Sequence, residues 1–526
     1  MWHTLAMTVP VLAVVLACAL ALRLTWAWGD LEALLRFATS DDAFYYFQIA
    51  HNLAAGAAPS LDGETPTNGF HPLWLLLATL AQRVAPDPQA ALRAALTLSA
   101  LLGTASTGLA FVAVRRLTQS APAALFAASI VAVHPAFVTE SVNGLETSAA
   151  VFTTALATLG FFALADAERV SVRQGLLFGL VGGALLLART DAFFLWGCLL
   201  LALLVRAQTP SARTLPVVAG AVSAACVAPW LLWNLLRFGT IVQISGVALP
   251  EPLRADFLAT HGDSLTAALG RSAYLVRQAF LSNLPHLYLV PRGLPAWPAL
   301  AAGALLLVSM LRFGDARTRR SLALLLPPAA GIALGLLWHA GVRWWTREWY
   351  FAPAGWLLAV FAGAALGFLH QRLGSRVSGK QSTAGFAAAA LALAGLALSG
   401  PYWRVPSEHR VQQLEAALWL KEHTRPQARV GAFNAGILSY FSGRTVVNLD
   451  GAVNARAYEA RSENRLADYV VASQLDYVVD WSGTLPMAGC GAPGPLRCEQ
   501  IAVIGEPLPR FAGSPIWVLR VHSALP

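Results

Sequence analysis

The sequence predicts a polytopic α-helical membrane protein of about eleven spans with a small soluble α/β domain at its C-terminal end, and three observations carry that reading. Of 526 residues, 56% are hydrophobic and only 12% charged, against roughly 25% charged in an average soluble domain. Apolar stretches of about 20 residues, enough to cross a hydrocarbon core, recur from the N-terminus to about Gly400 and then stop. The short connections between them concentrate arginine, as cytoplasmic loops do. Residues 1–402 are therefore read as the membrane domain and residues 403–526 as the soluble one.

The net charge of +9 does not point to nucleic acid, because no basic stripe with interleaved aromatics accompanies it. The first apolar stretch, Met7 to Trp28, lacks a small-residue cleavage site and reads as a retained helix. With the N-terminus inside, arginine placement orients the rest. The segment 29–91 is an outer loop with interfacial helices. Arg115 and Arg116 return inside, Glu140, Asn143 and Glu146 lie outside, and Arg169 and Arg173 inside. A turn at Arg189 and Asp191 is outside, Arg206 and Arg213 inside, and a long loop to about Trp297 outside. RFGDARTRR (Arg312 to Arg320) is cytoplasmic, His339 to Glu348 is outside, Arg372 to Lys380 inside, and span eleven ends near Pro401. The stretch His71 to Ala85 is too short to cross and is expected to lie at the interface. The terminal domain then faces the extracytoplasmic side of a bacterial cytoplasmic membrane.

In that domain a helix-like run, VQQLEAALWLKEHT, precedes β-rich runs RTVVNL, DYVVDW and PIWVLRV. Cys490 and Cys498 bracket a short polar loop and could close a disulfide in an oxidising compartment. Cys18, Cys198 and Cys226 lie in apolar runs and read as small core residues.

The strongest chemical signal is ATSDDAFYYFQIAHN in the first outer loop. Asp41 and Asp42 open an amphipathic stretch whose aromatics, Tyr45 among them, suit the headgroup region; the bland reading is that the aspartates cap that helix. The loop continues as DGETPTNGFHPLW, bringing Asn68 and His71, the latter either a phosphate-binding or acid/base group or a helix-start hydrogen-bonder. In TESVNGLETS, Asn143 and Gly144 make a turn and Glu146 opens the next helix, where dipole complementation alone would favour a carboxylate. Against that stands its shared outer face with Asp191 and the aspartate pair, since ionisable groups at membrane depth mark function. Finally HAGVRWWTREWYFAP sets Arg343, Arg347 and Glu348 among tryptophans. Arginine's planar fork suits phosphate oxygens, and the alternative is an aromatic belt with snorkelling arginines. Asn434, Asn448 and Asp450 offer sugar-type hydrogen bonds or simply build turns.

Carboxylates that could deprotonate an acceptor, arginines that could hold phosphate and a bundle that could admit a lipid tail together suit transfer from a lipid-phosphate donor. No Walker loop, zinc spacing, nucleophile elbow or dinucleotide fingerprint is present. No ligand spacing specifies a metal, and a divalent ion held by the carboxylates stays open.

At DDAFYY, NGLET, LARTDA and TNGFHPLW the chain resembles the GT-C superfamily of polyprenol-dependent glycosyltransferases, including aminoarabinose transferases, protein O-mannosyltransferases and cell-wall arabinofuranosyltransferases. The terminal stretch GAFNAGILSYFSGRTVVNLDGAVN is also similar to that of bacterial membrane proteins in this group. The resemblance implies transfer of a sugar, with inversion, from a polyprenyl-phosphate donor to a glycan, lipid or protein acceptor outside the membrane. It implies Asp41 as the catalytic base, Asp42 and Glu146 as supporting acids, and Arg347 as a donor-phosphate contact. The oligosaccharyltransferase WWD-type signature is absent, which favours a monosaccharide donor. The rival expectation is a transporter or flippase of a lipid-linked substrate, though the halves show no symmetry; a noncatalytic scaffold is the third.

Overall fold

The computed structural model describes residues 2–85, 87–167, 170–262, 264–373, 406–490, 496–507 and 515–522. Among them, six helices are long and apolar enough to cross a membrane: Thr8–Ala27, Pro88–Thr118, Thr147–Ala165, Ala212–Phe238, Ala316–Val342 and Glu348–Arg372. The other stretches read as spans before residue 374 are also helical but shorter. Ala121–Val133 stops where Pro135 removes a backbone donor, and the chain continues as Pro135–Glu140. Val172–Ala188 and Phe193–Arg206 are the legs of a hairpin turning at Thr190–Ala192, and Trp297–Phe313 has 17 residues, about 26 Å at helical rise. The span expected to end near Pro401, and the domain boundary near residue 403, lie outside the described residues.

Close packing follows from small residues. Along Val172–Ala188, Gly175, Gly179 and Gly183 recur every four residues and face Leu215, Val222 and Cys226 of helix Pro210–Phe238. A Cβ on Gly179 would stand 2.6 Å from Val222, so these glycines let the two backbones approach. Arg23 is fully buried in the first helix, and its nitrogens bond the Ser141 hydroxyl (3.0 Å) and the carbonyls of Ala19, Val131 and Ala132 (2.9–3.0 Å). It caps helix Ala121–Val133, whose last carbonyls have no partner within their own helix.

The first connection builds a platform at one end of the bundle: helices Leu31–Phe37, Asp41–Ala54 and Pro72–Val84. The last, 13 residues or about 20 Å long, buries Trp74, Leu75 and Ala78 and exposes Leu76, Leu80 and Val84. It is too short to cross. On this platform sits the C-terminal domain. Helix Glu408–His423 precedes five strands, β1 (Arg429–Ala432), β2 (Thr445–Asn448), β3 (Tyr477–Trp481), β4 (Arg497–Ile504) and β5 (Ile516–His522), ordered β2-β1-β3-β5-β4. β1 pairs in parallel with β2 and β3, while β5 runs antiparallel to β3 and β4. Cys490 and Cys498 are disulfide-bonded beside β4.

Domain and platform share one core. Phe44, Phe47 and Trp74 are buried in the same cluster as Ile437, Leu438 and Val479, and Phe44 meets Tyr440 and Phe441 at ring distances of 5.6 and 5.3 Å. Each such side chain contributes about 1.5–3 kcal/mol by leaving water. Arg36 adds a two-bond pair to Glu408 at 2.9 and 3.0 Å.

Candidate functional site

A cavity of about 760 Å³ opens between the platform, the C-terminal domain and the bundle ends. Its lining combines apolar side chains, Leu186, Phe193, Val227, Leu231, Trp338 and Leu249, with charged and titratable ones, Asp42, His71, Glu146, Arg189, Asp191, His339, Arg343 and Arg347.

The carboxylate of Glu146 comes from the NGLE turn, which Gly144 (φ 80°) allows to press against Ala43 and Phe47. It stands at the N-cap of helix Thr147–Ala165 but makes no cap bond to it. It accepts from Arg189 at 2.7 Å and from the Tyr46 hydroxyl at 2.9 Å. Arg189 also grips both oxygens of Asp191 at 3.0 and 2.8 Å, and its guanidinium lies 4.4 Å from the Tyr350 ring centre. His339 Nε2 stands 2.7 Å from Asp191. Burial opposes the charge on Asp191, but Arg189 and His339 hold its carboxyl well below the usual range; burial likewise opposes Arg189, and the two carboxylates raise it. Four polar groups thus satisfy one another at the hairpin turn.

Asp42 contrasts with this cluster. Among the described residues its carboxylate accepts no hydrogen bond and forms no ion pair. Burial raises its pKa, opposed by Arg347 and Arg410, with Glu146 adding to the rise. The loop after helix Ala316–Leu337 carries the two arginines. Trp344 holds a left-handed backbone (φ 58°), strained for so bulky a residue, and its indole donates to Ser272 at 2.8 Å. The bend aims Arg343 and Arg347 into the cavity. Arg343 Nη2 is buried with no partner, and Arg347 stacks over Trp345 at 4.2 Å.

Other expected site residues divide. His71 lines the cavity, caps nothing, and stands 3.3 Å from Gln243 and 3.7 Å from Glu146; burial lowers its pKa. Tyr45 lines the cavity with its ring while its hydroxyl reaches the C-terminal domain. The remaining expected residues stand elsewhere. Asp41 does not line the cavity: its oxygens accept from the amides of Ile437 (2.7 Å) and Gly436 (3.4 Å), and Ser40 caps the helix instead. Asn143 braces its own turn through Glu140 and Thr147 at 2.6 and 2.8 Å. Asn68 pins the backbone at Val242 and Ile244. Glu348 pairs with Arg292 at 2.9 Å and borders a neighbouring cavity. Asn448 is buried in bonds within the domain and to Tyr45, Asn434 bonds Asp480, and Asp450 closes a turn at Ala452.

Arg189, Tyr46 and His339 lie inside the motifs LARTDA, DDAFYY and HAGVRWWTREWYFAP but are not singled out there as site residues, and Gln243 carries no local motif. Glu146 and Asp191 both face Arg189, and among the described residues no three His, Cys, Asp or Glu side chains converge.

Residues 71–233 match the family of dolichyl-phosphate-mannose-protein mannosyltransferases, and residues 402–512 match a domain of unknown function. No curated protein matches the sequence. In three dimensions the chain is similar to the archaeal oligosaccharyltransferase AglB from Archaeoglobus fulgidus, solved with an inhibitory peptide and a dolichol-phosphate. The TM-score is 0.58 at 17% identity, over 92% of this chain and 70% of that one. It is also similar to ArnT from Cupriavidus metallidurans bound to undecaprenyl phosphate, with a TM-score of 0.58 at 13% identity, over 96% and 97% of the two chains. A segment of the membrane part thus matches a mannosyltransferase family, and the chain as a whole shares the fold of these two structures.

Proposed function

We propose that the protein transfers a monosaccharide from a polyprenyl-phosphate donor to an extracytoplasmic acceptor, a cell-envelope glycan, lipid or protein, in the cytoplasmic membrane of a bacterium. The observation that carries this is the cavity's lining: apolar side chains suited to an isoprenoid share one cavity with a carboxylate and two arginines that, among the described residues, make no ion pair. The acceptor hydroxyl oxygen attacks the anomeric carbon while its proton passes to Asp42. The bond from that carbon to the polyprenyl phosphate breaks, and the phosphate leaves with the electron pair, stabilised by Arg343 and Arg347. Attack opposite the leaving group inverts the anomeric centre. Asp42 replaces Asp41 as the base, because it is the aspartate that lines the cavity. The disulfide beside β4 suits an oxidising compartment. The cluster of Arg116 and Arg320 on Asp166 (3.4 and 2.6 Å) suits the opposite, cytoplasmic end.

The test offers the protein in nanodiscs a panel of polyprenyl-phosphate monosaccharides radiolabelled in the sugar, together with crude envelope acceptor. Label moving to the acceptor names the donor and supports the reading. Donor crossing the bilayer with its sugar still attached, and no transfer, would make the protein a transporter.

A further inference from the structure

We infer that the C-terminal domain of unknown function is a working part of the transfer site: by gripping Asp41 and Tyr45 it fixes the rotation of the helix that presents Asp42. This rests on Asp42 being the base. Asp41 and Tyr45 stand four residues apart, on one face of helix Asp41–Ala54, and both face the domain. Asp41 accepts from the amides of Ile437 and Gly436, at 2.7 and 3.4 Å. The Tyr45 hydroxyl donates to the Phe433 carbonyl at 3.2 Å and meets the Ala435 amide and the Asn448 side chain at 3.3 Å each. Asp42 and Tyr46 occupy the adjoining face, about 100° away at helical pitch. There Asp42 lines the cavity and Tyr46 donates to Glu146. A slip of one residue's rotation would swap the two aspartates.

The gripping loop is itself braced. Asp480 at the end of β3 accepts from the amides of Phe433 and Asn434 (2.8 and 2.9 Å) and from the Asn434 side chain (3.1 Å). Residue 436 has to be glycine, because a Cβ there would collide with the carbonyl oxygen of Asp41. Burying the Asp41 carboxyl pushes its pKa up to about 7, against the pull of the Ile437 amide. A buried carboxylate on backbone amides is kept for a purpose. In this geometry the purpose is positioning, since neither oxygen faces the cavity.

The experiment uses the full chain in nanodiscs with four variants, Asp41→Ala, Asp41→Asn, Gly436→Ala and Asp42→Asn, reading kcat and donor KM separately. Hydrogen exchange at the Gly436 and Ile437 amides is read without donor. Asp41→Ala and Gly436→Ala should lower kcat roughly a hundredfold, the usual consequence of a displaced catalytic group, with donor KM little changed. Asp41→Asn keeps one acceptor oxygen and should stay within about tenfold of wild type, the worth of one hydrogen bond. Amide exchange should speed up in Asp41→Ala. Asp41→Asn as inactive as Asp42→Asn would make Asp41 the base and overturn the inference. So would wild-type kcat in both Asp41→Ala and Gly436→Ala. A wild type that transfers no sugar sinks the underlying reading instead, and is distinguished because amide exchange is measured without substrate.

Discussion

Two sets of charged groups in the cavity differ in how they satisfy their charges. Two carboxylates and the Tyr350 ring close on the Arg189 guanidinium, and His339 bonds one of those carboxylates. In the other set, among the described residues, the Asp42 carboxylate accepts no hydrogen bond and Arg343 leaves a buried nitrogen bare. A satisfied buried network rigidifies its surroundings. A charged group left without a partner lowers stability unless water or a ligand completes it. The comparison therefore assigns architecture to the first set and chemistry to the second, although both contain acidic residues that stand out in the sequence.

The largest effect that could break this comparison is on stability. Arg189→Met leaves Glu146 and Asp191 buried without their shared cation, which should destabilise the protein by about 3–5 kcal/mol; denaturant unfolding in detergent measures it. Asp42→Asn should cost nothing or raise stability, because it removes an unpaired charge. If Arg189→Met were the benign variant and Asp42→Asn the damaging one, the assignment would be reversed. Next in size, Arg343→Ala should weaken donor binding roughly tenfold to a hundredfold, as expected for hydrogen bonds to a charged phosphate. Arg343→Lys should recover the charge but not the planar fork. Titration with labelled donor reads both, and equal affinity in all three proteins would take the phosphate away from Arg343. The smallest effect is a pH slope. Asp41 holds its proton up to about 7 in the folded chain against 3.8 ordinarily, so between those values the folded state binds more protons than the unfolded. Stability should therefore fall as pH rises through that window. Asp41→Asn should show a decline shallower by at most about 1.4 kcal/mol per pH unit, one proton's worth. An unchanged slope in thermal unfolding would remove Asp41 as its source.

Much of the fold is legible in the sequence because membrane spans report through composition alone: long apolar runs and arginine-rich turns need no tertiary information. The helix Pro72–Val84 was legible for the same reason, its length excluding a crossing. Arg23 was not, since a lone arginine inside an apolar run says nothing of the carbonyls of Ala132 and Val131 that receive it. The site divides similarly. Glu146, Asp191 and the aspartate pair announce themselves as acidic residues at helix ends. Which aspartate faces the cavity depends on helix rotation, and that is set by Gly436 and Ile437, nearly 400 residues away in sequence. Asn143 and Asn68 have the composition of a binding loop, yet their short side chains satisfy nearby backbone and turn partners, as asparagine often does.

The most direct test of the central claim is transfer by Asp42→Asn at matched donor occupancy, with the labelled polyprenyl-phosphate sugar identified on the wild type. The account predicts that this variant folds, binds donor as wild type does, and transfers sugar slower by about 10²–10⁴, the usual contribution of a general base. Transfer within about tenfold of wild type would contradict it and return the base to another group.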